Sequence, residues 1–261
     1  MNDNKNTILD GLEPEVIERV TRREMFGKLG KYGIAVASAP LVLGALSRET
    51  FGQAAQLPAQ ISDVLNFALT LEYLEDEFYA TALKSKIRFG SAKNVFKQIG
   101  AHEAAHVALL KSVLGSQAVA KPTFDFTAGG AFADVFTNYQ TFLAVAQAFE
   151  DTGVRAYKGQ AANLISNKQV LQTALQIHSV EARHASQVRR LRGEKGWITG
   201  DSRGSLPAPT QAVYNGENNM SQGGADLTGL PNVPTSAITE AFDEPLTKDE
   251  VLAIAKLFIK G

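Results

Sequence analysis

The chain has 261 residues, 44% of them hydrophobic and 20% charged, enough for one sizeable core with an appendage. Its 26 basic and 27 acidic residues leave a net charge of −1, so no excess field recruits nucleic acid or an anionic membrane. It has no cysteine, which excludes a disulfide framework and thiolate chemistry.

Residues 1–54 read as a twin-arginine-type export signal. Thr21-Arg22-Arg23 is followed by Phe26 and Lys28, then by a mildly apolar run over 29–46 rich in Gly and Ala. The run is about long enough to cross a bilayer, but Lys31 and the many small residues make it a poor span, so no stable membrane insertion is expected after export. The acidic stretch before Thr21 is an unusually long lead. Gly52 and Ala54 offer a small-x-small cleavage site ahead of Leu57-Pro58, and the exported chain then starts near Ala55, periplasmic or extracellular.

Residues 55–195 read as four amphipathic helices. Over 61–87 the stripe runs through Leu65, Leu69, Glu72, Asp76, Tyr79 and Leu83, which buries Glu72. A second helix over 92–114 carries Ile99, Glu103, His106, Leu110 and Val113, with Gly115 as C-cap. Residues 116–131 hold Pro122, Phe124, Phe126 and Gly129-Gly130 and suit an extended crossover. Sixteen residues reach roughly 50 Å, the length of a bundle, which makes the second and third helices parallel. The third helix, over 132–164, places Leu143, Glu150, Val154 and Tyr157 on its stripe; the fourth, over 169–192, places Ile177, Glu181, His184, Val188 and Leu191. Gly153 interrupts the third at a cost of about 1 kcal/mol against alanine, marking a bulge or a close helix contact.

Residues 196–261 form an irregular extension. Residues 196–235, rich in Gly, Pro, Ser and Asn with the lone Trp197, read as loop or tail rather than core. Thr247-x-x-Glu250 is a capping box before a short terminal helix that docks on the bundle or on a neighbouring subunit of a homo-oligomer.

The halves of the bundle repeat. Glu72, Glu103 and His106 recur at an offset of 78 as Glu150, Glu181 and His184, and the same offset pairs Leu65 with Leu143, Tyr79 with Tyr157, Gln98 with Gln176 and Ile99 with Ile177. An internal duplication of a helix pair accounts for this. Four inward carboxylates cost far more to bury than a domain supplies unless cations compensate them. A Glu-x-x-His pair at i, i+3 aims both groups at one ion, and the expected metal ligands are Glu72, Glu103, His106, Glu150, Glu181 and His184. A bundle without metal is disfavoured by the same charge argument. His102 and His178 fall outside the repeat and read as surface or outer groups. Glu75 and Glu77 are rival ligands whose repeat positions are Gly153 and Arg155, so Glu72 is preferred. Asp76 reads as an extra ligand, a proton relay or a surface residue; Tyr79 and Tyr157 read as core aromatics with bonded hydroxyls, ahead of a redox role.

The segments LNFALTLEYLEDEFY from Leu65, FEDTGVRAYKG from Phe149 and VEARHA from Val180, with the later FDEPL, resemble the ferritin-like superfamily and its exported, desiccation-related branch, over about residues 57–195. The resemblance implies an all-α, ferritin-like four-helix bundle with one long crossover. It also implies a dinuclear Fe or Mn carboxylate site with the six ligands named, of the ferritin, bacterioferritin and manganese-catalase type. Superfamily members oxidise ferrous iron, disproportionate peroxide or activate oxygen, and the ligand set alone does not separate these. The expected partners are metal ions and O2 or peroxide, and the expected role is oxidative or desiccation stress. The alternative is a non-catalytic metal-binding protein of stress protection or structure. A 24-subunit storage shell is not implied, given the long extension.

Overall fold

The computed structural model describes residues 57–260. The export-signal reading of residues 1–54 and the expected start at Ala55 lie outside them. Helices α1 (Ala59–Lys84), α2 (Lys93–Leu114), α3 (Tyr139–Gln160) and α4 (Lys168–Leu191) form the bundle. Two short helices follow, α5 (Thr235–Thr239) and α6 (Lys248–Ala255), after a minimal antiparallel pair of strands, β1 (Ser221–Gln222) and β2 (Ala225–Asp226). Among the described residues no helix is long and apolar enough to cross a membrane.

Local chemistry sets the helix ends. The Asn138 side chain accepts from the backbone N–H groups of Gln140 and Thr141, and that of Asn167 accepts from Val170, capping α3 and α4. Gly115 ends α2 in the left-handed region, at φ 56°.

The long crossover is present and runs the length of the bundle. At one end the Asn66 amide donates to the carbonyl of Gln117, just past α2, at 2.9 Å. At the other, Phe142 of α3 packs on Phe96 of α2 and Phe78 of α1 with ring centroids 4.9 and 5.1 Å apart. Helices α2 and α3 are therefore parallel, and α1 and α3 antiparallel. The third helix starts at Tyr139 rather than at 132, so the crossover is longer than expected. Phe132 and Val135 are buried, but in a chain of turns that plugs the bundle end, and the Asn138 cap fixes where the helix begins. Its 161–164 end is a 3-10 turn.

The extension corrects the loop-or-tail reading. It has almost no regular structure, yet Ile198, Leu206, Val213 and Tyr214 are buried in a second apolar cluster with Phe67 and Leu71 of α1, Ala144, Ala148 and Ala156 of α3, and Leu246, Val251 and Ile254. The reason lies in α1 and α3, whose outer faces are also apolar; a helix apolar all round needs cover on both sides. Helix α6 has the full capping box and docks on its own bundle, with Phe258 on Phe149 at 4.7 Å. The C-terminal strand-like stretch pairs with the crossover through Asp125 N–H to the Phe258 carbonyl, 2.7 Å, and Lys260 N–H to that of Thr123, 2.9 Å.

Buried charge fastens the extension. Arg155 of α3 pairs with Glu217 at 2.8 Å and donates to the carbonyls of Val213, Asn215 and Glu244. Asp151 of α3 takes a two-pronged bond from Arg189, at 3.0 and 2.6 Å, and a bond from the Tyr214 hydroxyl at 2.8 Å. At Gly159 the backbone of Leu246 comes so close that any Cβ would collide with its carbonyl oxygen.

Removing one partner of a buried pair strands the other, at about 3–5 kcal/mol. Arg155→Ala is expected to lower unfolding free energy by about that much in a urea titration, and adding Glu217→Gln should recover part of it by removing the stranded charge.

Candidate metal centre

Each bundle helix supplies its part from one level. Helix α1 brings Glu72, α2 brings Glu103 and His106, α3 brings Glu150, and α4 brings Glu181 and His184, all buried. Each His follows its Glu by three positions, so both project from the same face one turn apart. The structure brings together all six residues expected from the repeat.

His106 Nδ1 lies 3.2 Å from Glu72, 3.1 Å from Glu103 and 3.0 Å from Glu181 oxygens. His184 Nδ1 lies 2.9 Å from Glu103, 3.4 Å from Glu150 and 3.3 Å from Glu181. One ring nitrogen carries at most one hydrogen, so it cannot satisfy three oxygens. Accordingly Glu103 Oε1, Glu150 Oε2 and Glu181 Oε1 are buried without a hydrogen-bond partner, although each is close to an imidazole. The donor atoms fall into two groups, Glu72, Glu103, His106 and Glu181, and Glu103, Glu150, Glu181 and His184, each within 4.8 Å. Glu103 and Glu181 belong to both. This donor set, oxygen-rich with one imidazole per group, fits a divalent transition-metal ion.

The tyrosines complete the site with crossed bonds. Tyr79 of α1 donates to Glu150 Oε1 of α3, and Tyr157 of α3 donates to Glu72 Oε1 of α1. The bonded-hydroxyl reading holds. Each bond occupies one carboxylate oxygen and leaves the other facing the cluster.

The structure also places Glu75, Asp76, His102 and His178. Glu75, set aside for lack of an acidic repeat mate, is buried as a fifth carboxylate. Its mate Gly153 makes the room: a Cβ there would sit 3.3 Å from Glu75 Oε1 and 3.8 Å from Glu181 Cγ, and α3 stays regular, so this is a close approach and not a bulge. The available signal was spacing, since Glu75 stands to Glu72 as His106 stands to Glu103. Asp76, placed on the buried stripe, is only half-buried and has Lys121 and Lys84 in its surroundings. His102 is an outer group of the site, its Nδ1 2.9 Å from His184 Nε2; His178 is half-buried, its ring Nδ1 unpaired.

The crowding sets the protonation. Burial and then the charge of Glu181 raise Glu103 to about 8. Burial raises Glu150 to about 7 against the pull of His184. Burial, followed by the charges of Glu181 and Glu150, holds Glu75 well above the carboxylate range. Glu181 moves the other way, to about 2, because bonds from His106 and His184 outweigh its burial. Burial opposes charge on the two histidines, but the carboxylates outweigh it, raising His106 and pushing His184 up to about 12. The carboxylates thus favour the charged form of both imidazoles, which offsets part of the negative charge.

A model of the ferritin-like domain matches residues 60–194, more than half of the chain. The chain belongs to that family. No curated protein matches it significantly. In this ferritin-like protein the match begins within α1 and ends just past α4, so the extension over 196–261 lies beyond it.

Stability should depend on pH in opposite ways with and without metal. Glu103, Glu150 and His184 have raised values in the folded state and Glu181 a lowered one. On balance the folded, metal-free protein holds more protons than the unfolded chain. The stabilisation from raised Glu103 and Glu150 is complete below their ordinary value of 4.5 and is lost as pH climbs through about 7 and 8. Chelator-treated protein should therefore melt lower at about pH 8 than at about pH 5. Metal ligation expels the same protons, so the melting increment from added Mn2+ should grow across that range; an increment independent of pH would contradict the assignment.

Proposed function

We propose that this protein is an exported metalloprotein whose bundle holds a dinuclear Fe or Mn carboxylate site and that it acts in oxidative or desiccation stress through peroxide or ferrous-iron redox chemistry. The observation carrying the reading is the convergence of three carboxylate oxygens on the Nδ1 of each of two histidines in a buried layer. The stress role rests on the resemblance of the quoted segments to the desiccation-related branch, and export on the arginine pair with its following apolar run.

When bound, the metal pair supplies Lewis acidity and one-electron redox change at neutral pH. Glu72, Glu103, His106 and Glu181 would hold one ion, and Glu103, Glu150, Glu181 and His184 the other. Tyr79 and Tyr157 hold the outer oxygens of Glu150 and Glu72, fixing those carboxylates against rotation. Between α2 and α4 an open groove of about 700 Å³, lined by His102, Ala105, His106, Val180, Arg183 and His184, admits solvent, O2 or peroxide to the imidazole edges. The apolar walls of the bundle exclude water from the carboxylate side.

A second reading, a non-catalytic metal-binding protein of stress protection or structure, is favoured by the burial of Glu72, Glu75, Glu103, Glu150 and Glu181: ions there would contribute directly to folding.

Elemental analysis of purified protein should find about two Fe or Mn ions per chain, and the Glu103→Ala, Glu181→Ala double variant should hold neither. Peroxide disproportionation or ferrous oxidation should accompany the metal and vanish in the double variant. A large melting shift on metal loading with no turnover would favour the second reading, and absence of metal after reconstitution would sink both.

A further inference from the structure

We propose that His102 is a positioning residue that makes the two halves of the metal site unequal, so that the ion held by His184 binds first and more tightly than the ion held by His106. The inference rests on the dinuclear reading above.

His184 presents Nδ1 to the carboxylates and Nε2 to His102 Nδ1, 2.9 Å away. The rings are within 13° of parallel with centroids 5.1 Å apart. Beside so short an N···N distance, that separation means ring edge meets ring edge, as a hydrogen bond needs, and not face upon face. For Nδ1 to ligate, the hydrogen of neutral His184 must sit on Nε2 and be donated, so His102 Nδ1 must be the acceptor. The hydrogen of His102 is then on its own Nε2, which lies 2.7 Å from the Gln98 amide nitrogen. An amide nitrogen only donates, so accepting that hydrogen needs the Gln98 amide turned over to present its oxygen, a change that leaves its shape the same. With the amide so turned the chain of bonds runs from His184 through His102 to Gln98, and only that direction leaves Nδ1 of His184 bare.

The other half lacks this support. At the repeat offset of 78, Gln98 is matched by Gln176, but His102 is matched by Val180, whose side chain neither donates nor accepts. No hydrogen bond to His106 Nε2 is made by the described residues, and His106 opens on the same groove as Val180. An acceptor behind a ligating imidazole fixes its tautomer and orientation and raises its basicity, and losing one costs about 10–100-fold in metal affinity. The two donor groups are repeats of each other, and Glu75, which breaks the repeat, belongs to neither; His102 is the unmatched group in contact with a ligating imidazole, so it decides the order of loading.

The test is a titration of the full, metal-free protein with Co2+, followed by calorimetry and the visible ligand-field bands. The unaltered protein should load in two steps with affinities about 10–100-fold apart. His102→Ala should weaken the tighter step by about tenfold or more and shift its bands, leaving the weaker step in place. His102→Asn, whose amide oxygen takes the position of Nδ1, should restore both. Unchanged steps in His102→Ala, equal weakening of both steps, or a single step in the unaltered protein overturns the inference while leaving the metal site standing. Failure of the unaltered protein to bind Co2+ at all overturns the dinuclear reading with it.

Discussion

The structure depends on one electrostatic constraint: carboxylates from all four bundle helices meet in a layer that water does not reach. Glu72, Glu103, Glu150 and Glu181 are fully buried and Glu75 nearly so. Negative charge gathered in this way is far more costly than the whole stability of a domain unless positive charge is placed among it. The two histidines supply it in the metal-free protein, and each sits at the centre of three oxygens rather than at the end of one bond. The helices are therefore held in register by a charge balance in addition to their apolar packing. The aromatic cluster of Phe78, Phe96 and Phe142 clamps one end of the bundle, and the crossed tyrosine–glutamate bonds tie α1 to α3 at the charged level.

The duplication explains the architecture, and its breaks locate the specialisation. Tyr79 bonding Glu150 and Tyr157 bonding Glu72 are one contact seen twice, as the offset of 78 requires. Three of the pairs that differ carry the specialisation. Glu75 has kept an acid where Gly153 gives it space, and His102 faces His184 where Val180 holds the equivalent position. Glu77 and Arg155 have become anchors for different coverings: Glu77 pairs with Lys121 of the crossover, Arg155 with Glu217 of the extension. Opposite charges at mated positions thus recruit different segments to the two halves.

The four helices, the crossover and the six converging residues were legible because each leaves a periodic or repeated trace: a stripe at helical spacing, a Glu-x-x-His pair, an identical offset. What was not legible had no such trace. Glu75 was hidden because duplication was the filter, and the filter removes whatever one half possesses alone. Asp76 was misplaced because α1 is apolar on nearly all faces, so a stripe drawn through it does not single out the inside. The packing of the extension was invisible because Ile198, Leu206, Val213 and Tyr214 are isolated apolar residues among Gly, Pro and Asn; only the three-dimensional surface of α1 and α3 shows what they cover. The third helix began late for a related reason, since Phe132 and Val135 continue the apolar rhythm into a segment whose backbone is capped off by Asn138.

The same asymmetry of cover determines how the buried layer communicates with solvent. The second apolar cluster is laid over α1 and α3, and the crossover with the C-terminal stretch closes the flank beside Phe149 and Phe258. Helices α2 and α4, which carry both Glu-x-x-His pairs, receive no comparable covering among the described residues, and the open groove lies between them. The imidazoles therefore face the open side and Tyr79 and Tyr157 the closed one. A small molecule arriving through the groove meets the edges of His102, His106 and His184 before any carboxylate, whereas both tyrosine side chains are buried. The imidazoles stand at the groove and the tyrosine hydrogen bonds behind the site, so ligands can be exchanged at one face while the carboxylates of α1 and α3 are kept in place from the other.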